Sequence, residues 1–359
     1  MDANVCEGVF FQRDCDFNSL SSARDLMTID CRFTETVGVR KQMTPWLFGV
    51  LISLSAYPAD AQDAQQISNP QVPSHANVAY GSHERQVLDF YQARKSPSKA
   101  PVLVWIHGGG WVRGDKSPVP HLERLLDRGI AVVSINYRYS WQAQLAKVDP
   151  PISWPISDAV RALQFIRSKA EEWKLDTDRI AASGGSAGAC SSLYLAFHAD
   201  HANPTSNDPI ERFSSRILFA AVEGAQTSLD PAQLVEWTPN SVYGGHAFGF
   251  MDPTDLKTRD TRFAEFLANR AKVEPWIKAY SPWELVTEDD SPVYLWYKNP
   301  PALGQKQSDP THSANYGIQL LERCKHQKVE CELAYPGAPQ LKHATVIDFI
   351  LDRLPQDPS

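Results

Sequence analysis

Short apolar runs alternate with longer amphipathic stretches along the chain from about residue 85. Such alternation predicts an α/β fold, in which a mostly parallel sheet is flanked by helices. Several runs are apolar throughout, which is typical of strands that are buried on both faces. The predicted strands are Val87–Tyr91, Val102–Ile106, Ala131–Asn136, Arg179–Ser183, Ile217–Val222, Val293–Tyr297 and Val329–Tyr335.

Apolar residues at helical spacing predict helices between these strands. The predicted helices are Ser157–Leu175, Cys190–Phe197, Ala314–Cys324 and Thr345–Leu354. Residues 226–281 break the alternation, because they contain many aromatic residues but no convincing strand. A segment this long between strands is typical of an inserted lid or pocket wall, although helices that simply pack on the sheet are the alternative.

An apolar run of about thirteen residues, Pro45 to Tyr57, follows Arg40 and Lys41 and precedes Ala59-Asp60-Ala61. This layout predicts a signal peptide over residues 43–61 and therefore an exported protein, periplasmic or secreted. The run is too short for a stable membrane span. We accordingly expect an upstream extension over 1–42 that need not be structured, a linker over 62–80 and one catalytic domain over 81–359.

Composition excludes some classes of partner and of fold. The 359 residues are 43% hydrophobic and 21% charged, which indicates a globular protein with a full-sized core. The formal charge is −7 and there is no long basic run, so we expect no nucleic-acid partner. Without residues 1–61 only Cys190, Cys324 and Cys331 remain, so at most one disulfide can form; Cys324 with Cys331 is the plausible pair, and the spacing leaves its formation open.

Gly184, Ser186 and Gly188 form a G-x-S-x-G motif between a predicted strand and a predicted helix. A serine on such a tight turn adopts a strained backbone, and the flanking residues must lack side chains so that strand and helix can approach closely. The hydroxyl then projects at a helix N-terminus, which favours developing negative charge. We therefore predict that Ser186 is a nucleophile.

Three consecutive glycines end another predicted strand, in the run His107-Gly-Gly-Gly-Trp111. Glycine lets backbone N–H groups face a ligand without a Cβ in the way. Two such donors, together with the amide of Ala187, could hold a carbonyl oxygen that becomes an oxyanion. The sequence therefore predicts an oxyanion hole at this loop.

A serine nucleophile needs a base, and a base needs an orienting carboxylate. His343 follows the last predicted strand and begins the last helix, where it could reach over the ligand side of the sheet, so we predict that it is the base. Asp309 follows the strand Val293–Tyr297 and is the predicted acid, with Glu223 as its rival. His312 is set aside here, because it lies only three residues from Asp309.

These motifs resemble those of α/β-hydrolase carboxylesterases with an HGGG oxyanion motif, in particular the hormone-sensitive-lipase-like and the bacterial feruloyl or acetyl-xylan esterase groups. The likeness covers about residues 80–355. Its matching elements are His107 to Trp111, Gly114-Asp-Lys116, Asn136-Tyr-Arg138, Asp158 and Gly184 to Gly188.

The resemblance implies a triad of Ser186, Asp309 and His343, and an oxyanion hole from the amides of Gly109, Gly110 and Ala187. It implies that His107, with Gly108 and Trp111, supports the oxyanion loop rather than acting as the base. No clear N-terminal helical cap of the lipase-like branch is visible, which favours the feruloyl or acetyl-ester side. No cofactor or metal is implied.

The expected reaction is hydrolysis of a short-chain or aromatic ester, such as an acetyl or feruloyl ester, through an acyl-enzyme. The substrate is expected to be a small molecule or an ester linked to a polysaccharide. The triad by itself does not choose between ester and amide, so an amidase, formamidase or serine peptidase is the alternative. A non-catalytic binding module on a hydrolase fold is a third hypothesis, which the retained serine and histidine disfavour.

Overall fold

The computed structural model describes residues 72–95, 99–339 and 341–354. The predicted signal peptide and upstream extension, and most of the predicted linker, lie outside these residues. The described residues contain eight strands: β1 (His75–Ala79), β2 (Val87–Tyr91), β3 (Ala100–Ile106), β4 (Ala131–Ile135), β5 (Leu175–Gly185), β6 (Ala220–Glu223), β7 (Val293–Trp296) and β8 (Cys331–Ala334).

The strands form one sheet in the order β1-β2-β4-β3-β5-β6-β7-β8. β1 pairs with β2 and β2 pairs with β4 in antiparallel orientation, whereas every pair from β4 to β8 is parallel. Because the six parallel strands point the same way, their carboxyl ends meet at one edge of the sheet, where ligands bind in open α/β folds. The predicted fold class is confirmed.

Helices cover both faces of the sheet within the described residues. They are α1 (Leu122–Asp127), α2 (Ser140–Leu145), α3 (Ser153–Ser168), α4 (Ala170–Trp173), α5 (Ala187–Phe197), α6 (Pro231–Trp237), α7 (Phe263–Ala268), α8 (Arg270–Tyr280), α9 (Pro282–Leu285), α10 (Ala314–Gln327) and α11 (Val346–Arg353). Short 3₁₀ helices at Pro209–Arg212, Gly245–Phe248 and Leu256–Thr258 supplement them.

Alternation along the central strand β3 shows how the two core layers are built. Val102, Val104 and Ile106 belong to the larger core, which also receives apolar residues of α3, α5 and α10. Leu103 points to the opposite face, where α1 and α11 pack. A strand with both faces covered must be apolar at every position, so the continuous apolar run that predicts β3 follows directly from this burial.

The long helix predicted over Ser157–Leu175 is divided in the structure. α3 ends at Ser168, Lys169 leaves helical geometry, and α4 follows before Lys174 adopts a left-handed backbone with φ 55°. β5 is correspondingly longer than predicted, since it extends from Leu175 to Gly185. Neither change moves the strand ends that carry the candidate chemistry.

The predicted linker is wrong for its last part. His75–Ala79 form the edge strand β1, which pairs with β2 through Ala79 opposite Val87 and Val78 opposite Leu88. The side chains of β1 are mostly exposed, so the segment lacks the apolar run by which strands are recognised in a sequence. As an edge strand, β1 pairs only with β2, and this backbone pairing does not require apolar side chains.

A buried ion pair fixes the segment that follows β4. Arg138 Nη2 lies 2.5 Å from Asp158 Oδ1 on α3, and the backbone N–H of Arg138 donates to Oδ2 at 2.8 Å. The amide of Gln86 also donates to Asp158 Oδ1 at 2.8 Å. The Asp158 carboxylate is fully buried, and these hydrogen bonds offset the free-energy cost of removing its charge from water.

Candidate active site

Ser186 stands between the end of β5 and the start of α5 with φ 54° and ψ −120°. This is a strained conformation for a residue with a Cβ. The close approach around it depends on glycine: a Cβ on Gly184 or on Gly188 would lie 2.4 Å or 1.9 Å from the carbonyl oxygen of Ile106. Strand β3 and helix α5 therefore meet directly beneath Ser186.

The glycine loop after β3 lies beside this turn. A Cβ built on Gly108 would lie 3.4 Å from the Cβ of Ser186. Gly109 and Gly110 have φ values of +102° and +63°, which glycine adopts without strain. The carbonyl of Gly109 accepts hydrogen bonds from the N–H groups of Val112 and Arg113, so the loop is a closed turn rather than a flexible one.

Aromatic side chains support the loop from below. Trp111 is fully buried and its Nε1–H donates to Ser191 Oγ of α5 at 3.0 Å. The ring of His107 stacks on Tyr137 at 4.2 Å, and its Nδ1 lies 2.7 Å from the carbonyl oxygen of Gly108. Burial lowers the pKa of His107 to about 4, so its ring is neutral at pH 7 and Nδ1 carries the donating proton.

A histidine and a carboxylate complete a relay to Ser186. Nε2 of His312 lies 2.9 Å from Ser186 Oγ, and Nδ1 of His312 lies 2.8 Å from Asp309 Oδ2. The backbone N–H of His312 also donates to Asp309 Oδ1 at 3.2 Å. With the proton on Nδ1 held by the carboxylate, Nε2 is the free acceptor that faces the serine hydroxyl.

The ionisation of Asp309 fits this arrangement. Partial burial acts to raise its pKa, but the hydrogen bond and charge of His312 outweigh that effect, so the pKa lies below its ordinary value. Asp309 is therefore a carboxylate at neutral pH. Next to a neutral imidazole it fixes the tautomer, and next to an imidazolium it stabilises the positive charge.

The prediction that His343 is the base is corrected by the structure. Nδ1 of His343 lies 2.8 Å from Glu332 Oε2 on β8, and Nε2 lies 3.1 Å from Asp352 Oδ2 on α11. The ring is 6% exposed, and the carbonyl of His343 accepts a hydrogen bond from Tyr294. His343 thus joins β8 to α11 on the face of the sheet away from α5, and both of its nitrogens are engaged there.

The reason for setting His312 aside is also wrong. The turn Asp309-Pro-Thr-His312 brings a carboxylate and an imidazole three residues apart into contact, so sequence proximity does not prevent the pairing. His312 reaches Ser186 across the end of β6, where Gly224 has φ +56° and a Cβ would lie 3.2 Å from the Cβ of His312. Gly224 leaves the space that His312 needs, but no pattern in the sequence connects the two residues.

Glu223, the rival acid, occupies a different place. Its carbonyl oxygen accepts the backbone N–H of Ser186 at 2.9 Å, but its side chain lines an apolar crevice with Trp105, Leu125 and Ile347. Burial raises the pKa of its carboxyl. No histidine in the described residues makes a hydrogen bond to it, so it does not replace Asp309 in the relay.

Part of the segment 226–281 packs against the oxyanion loop. The rings of Tyr243 and His246 lie 6.4 Å and 6.1 Å from that of Trp111. Arg259 lies against Gly110, where a Cβ would come within 2.9 Å of its Nη1. Most other aromatic residues of the segment pack in the core, as Phe248, Phe250 and Phe263 do around Phe266.

The sequence also left a disulfide open, implied no metal and predicted no stable membrane span. Cys190, Cys324 and Cys331 are free, so the bridge that the sequence left open is not formed. Within residues 72–95, 99–339 and 341–354, no cluster of three or more His, Cys, Asp or Glu side chains is arranged to hold a metal ion. In the same part of the chain, every helix is too short or too polar to span a bilayer.

Comparison with known proteins identifies the family of the chain. The BD-FAE family model matches residues 88–309, which is more than half of the chain. Esterase LipC of Mycobacterium tuberculosis is 30% identical over 230 residues, which cover 62% of this chain and 48% of LipC. The probable carboxylic ester hydrolase LipM of the same organism is 38% identical over 140 residues, which cover 37% of this chain and 29% of LipM. The chain thus spans less than half the length of these relatives.

Solved structures share the fold. A truncated carbohydrate esterase from gut microbiota superposes with a TM-score of 0.55 at 17% identity, over 78% of this chain and 95% of that one. Thermogutta terrifontis esterase 2 phosphonylated by sarin superposes with a TM-score of 0.55 at 19% identity, over 80% of this chain and 95% of that one. An acetyl ester-xyloside bifunctional hydrolase from Caldicellulosiruptor lactoaceticus superposes with a TM-score of 0.50 at 20% identity, over 77% of this chain and 82% of that one.

Proposed function

Because the chain belongs to the BD-FAE family of α/β-hydrolase esterases, we propose that it hydrolyses carboxylic esters with Ser186 as nucleophile, His312 as base and Asp309 as orienting acid. The observation that carries this proposal is the relay of two hydrogen bonds, 2.9 Å from Ser186 Oγ to His312 Nε2 and 2.8 Å from His312 Nδ1 to Asp309. It joins a strained serine to an ionised carboxylate through one imidazole.

The reaction has two steps of the same form. His312 Nε2 accepts the proton of Ser186 while Oγ attacks the ester carbonyl, and the imidazolium then gives that proton to the departing alcohol. A water molecule next loses a proton to His312 and attacks the acyl-enzyme, which releases the carboxylic acid and restores the serine. The Asp309 carboxylate stabilises the imidazolium in both steps.

The developing oxyanion needs donors that are already in place. The amides of Gly109, Gly110 and Ala187 are suited to this role because the glycine loop and the start of α5 flank Ser186. The positive φ values of both glycines turn the loop sharply, and the Trp111 and His107 contacts hold it there. The N-terminus of α5 adds a favourable dipole.

Short-chain or aromatic esters are the proposed substrates, with acetyl and feruloyl esters as the leading examples. Structural neighbours named as a carbohydrate esterase and an acetyl ester-xyloside bifunctional hydrolase support this choice. The leader-like run Pro45 to Tyr57 supports action outside the cytoplasm. N-terminal sequencing of the exported protein would check that location, and an intact leader on it would contradict the proposal.

The triad is tested by substituting Ser186 and by comparing variants of the two candidate bases, His312 and His343. Ser186→Ala and His312→Ala should each lower kcat for p-nitrophenyl acetate on the order of 10⁴- to 10⁶-fold, because each removes a group that acts in the transition state. His343→Asn should keep kcat within about threefold and lower only the melting temperature, because its ring joins β8 to α11.

Covalent labelling separates chemistry from folding in this test. A fluorophosphonate should label the wild type and His343→Asn on the tryptic peptide that contains Ser186, and should fail to label Ser186→Ala. Loss of kcat in His343→Asn with an unchanged melting temperature, alongside an active His312→Ala, would return the base to His343. An acyl-chain series that includes methyl ferulate and acetylated xylan then ranks the substrates.

A further inference from the structure

The side chain of Arg259 lies against Gly110 of the oxyanion loop. A Cβ built on Gly110 would lie 2.9 Å from Nη1, 3.4 Å from Cδ and 3.7 Å from Cζ of Arg259. The guanidinium therefore rests on the glycine whose amide is proposed to bind the oxyanion. A substituent a few bonds from the scissile carbonyl would come within its reach.

Two contacts hold Arg259 in this position. Nε donates to Asp260 Oδ2 at 2.9 Å, and Nη2 donates to the same oxygen. The guanidinium also lies over the ring of Tyr243, with its Cζ 5.4 Å from the ring centroid. Since the Tyr243 ring packs near Trp111 of the oxyanion loop, the arginine is tied to the loop through both its charge and its aromatic neighbour.

The third nitrogen of the guanidinium, Nη1, makes no hydrogen bond to the part of the chain that the structure describes. Among the hydrogen bonds of the described residues, none involves Arg259 Nη1, whereas Nε and Nη2 are both engaged. The Arg259 side chain is 24% exposed, so the guanidinium is partly buried and still accessible to a ligand. A half-buried guanidinium that keeps N–H donors free is suited to bind an acceptor oxygen, and a carboxylate is its strongest partner.

The polar groups behind Arg259 are also incompletely satisfied. Asp260 Oδ1 and the hydroxyl of Tyr243 are buried without a hydrogen-bond partner among the described residues. His246 Nδ1 lies 3.8 Å from Asp260 Oδ1, and burial lowers the pKa of His246 to about 3, so its ring is neutral at pH 7. Buried polar groups of this kind commonly mark a place that water or a ligand completes.

We propose that Arg259 is a specificity-determining residue, which selects esters that carry an acceptor oxygen near the scissile bond and binds a carboxylate most strongly. This inference rests on the proposed esterase function. Asp260 balances the charge of Arg259, so the selectivity comes from directed Nη1–H···O hydrogen bonds with a smaller contribution from net charge. A substrate without an acceptor would displace water from Nη1 and leave its donors unpaired, which is unfavourable.

Shape-matched esters test this selectivity on the acyl side. Methyl 4-methylpentanoate, methyl 4-oxopentanoate and monomethyl succinate share one outline, and they end in an isopropyl group, a carbonyl and a carboxylate. The alcohol side is tested with the acetates that have the same three ends: 4-methylpentyl acetate, 5-acetoxypentan-2-one and 4-acetoxybutanoate. The readout is kcat/KM for each ester relative to its alkyl counterpart at pH 7.5.

In the wild type we expect the carboxylate ester of at least one series to exceed its alkyl counterpart, and the carbonyl ester to lie between them. In Arg259→Met this ratio should fall about tenfold or more, mainly through KM. Arg259→Lys should retain part of the preference for the carboxylate but not that for the carbonyl, because a lysine lacks the planar fork. Arg262→Met is the matched control, since Arg262 lies in the same segment and pairs with exposed Glu265.

The outcomes separate the two proposals. If the wild type hydrolyses none of the six esters and no p-nitrophenyl acetate, the esterase proposal fails. If it hydrolyses the alkyl esters but both ratios in Arg259→Met equal those of the wild type, only the role of Arg259 is overturned. An equal fall in Arg262→Met would also overturn that role, because the effect would then belong to the segment as a whole.

Discussion

His312 and His343 show how one residue type serves two purposes according to its neighbours. His312 is 38% exposed and faces Ser186 with one nitrogen and Asp309 with the other. His343 is buried between Glu332 and Asp352, two carboxylates that occupy both of its nitrogens. Only a histidine with one nitrogen bound to a carboxylate and the other turned to the serine can transfer a proton between them.

The local pairing of Asp309 with His312 leads to a prediction about the acid. Asp309→Asn should lower kcat for p-nitrophenyl acetate about 10²- to 10⁴-fold, because an amide can donate to Nδ1 and so favour the wrong tautomer of His312. Glu223→Gln is the matched control and should have little effect, since the Glu223 side chain lines the crevice beside Trp105. A collapse of kcat in Glu223→Gln, with an active Asp309→Asn, would exchange the two roles.

At the scale of secondary-structure elements, the position of Ser186 depends on contact between backbones. α5 packs on β3 so closely that Gly188 is within contact distance of the Ile106 carbonyl, with no room for a side chain. The strained φ of Ser186 persists because β5, β3 and α5 are all held by the surrounding core. The serine geometry is therefore a property of three packed elements and not of the motif alone.

Gly188→Ala tests this contact. The added Cβ would lie 1.9 Å from the Ile106 oxygen, so α5 must move away from β3. We expect a loss of about 2 kcal/mol or more in the free energy of unfolding, measured by urea denaturation. Gly185→Ala is the control, because a Cβ there meets nothing within 4 Å. Equal losses in the two variants would show that the close approach is not what the glycine provides.

The elements also explain why the structure of the site differs from the one expected. In an open parallel sheet the loops after several strands meet at one edge, so the loops after β7 and after β8 are both candidates to carry a base. The loop after β7 crosses Gly224 and reaches Ser186. The region after β8 returns instead to α11 on the other face of the sheet.

At the scale of the whole molecule, buried histidines connect stability to pH. Burial lowers the pKa of His107 to about 4, that of His201 to about 4 and that of His246 to about 3. In an unfolded chain a histidine titrates near pH 6.5. Between about pH 6.5 and 4 the unfolded state therefore binds more protons than the native state, and native stability falls as the pH is lowered.

His107→Asn should reduce this dependence. Asn retains an N–H that can donate to the Gly108 carbonyl but does not titrate, so one proton fewer is taken up on unfolding. The slope of the unfolding free energy between pH 6.5 and 5 should become shallower, by up to about 1.4 kcal/mol per pH unit for that proton. Above pH 7.5 the curves of wild type and variant should be parallel. Identical slopes below pH 6.5 would contradict a neutral, buried His107.

The sequence by itself determined the buried central strands of the sheet, such as β3, because a strand covered on both faces is apolar along most of its length. It also determined the strand–turn–helix at Ser186 and the glycine loop, since both need residues without side chains at fixed positions. It did not reveal β1, whose exposed side chains follow no apolar pattern, or the break between α3 and α4.

Tertiary structure decided which histidine faces Ser186, which carboxylate faces that histidine, and which side chain of the 226–281 segment rests on Gly110. These choices depend on the paths that loops take across the edge of the sheet. Loop paths are set by contacts between residues far apart in the chain, such as Gly224 with His312 and Gly110 with Arg259. No local pattern records those contacts, so they become visible only when the chain is folded.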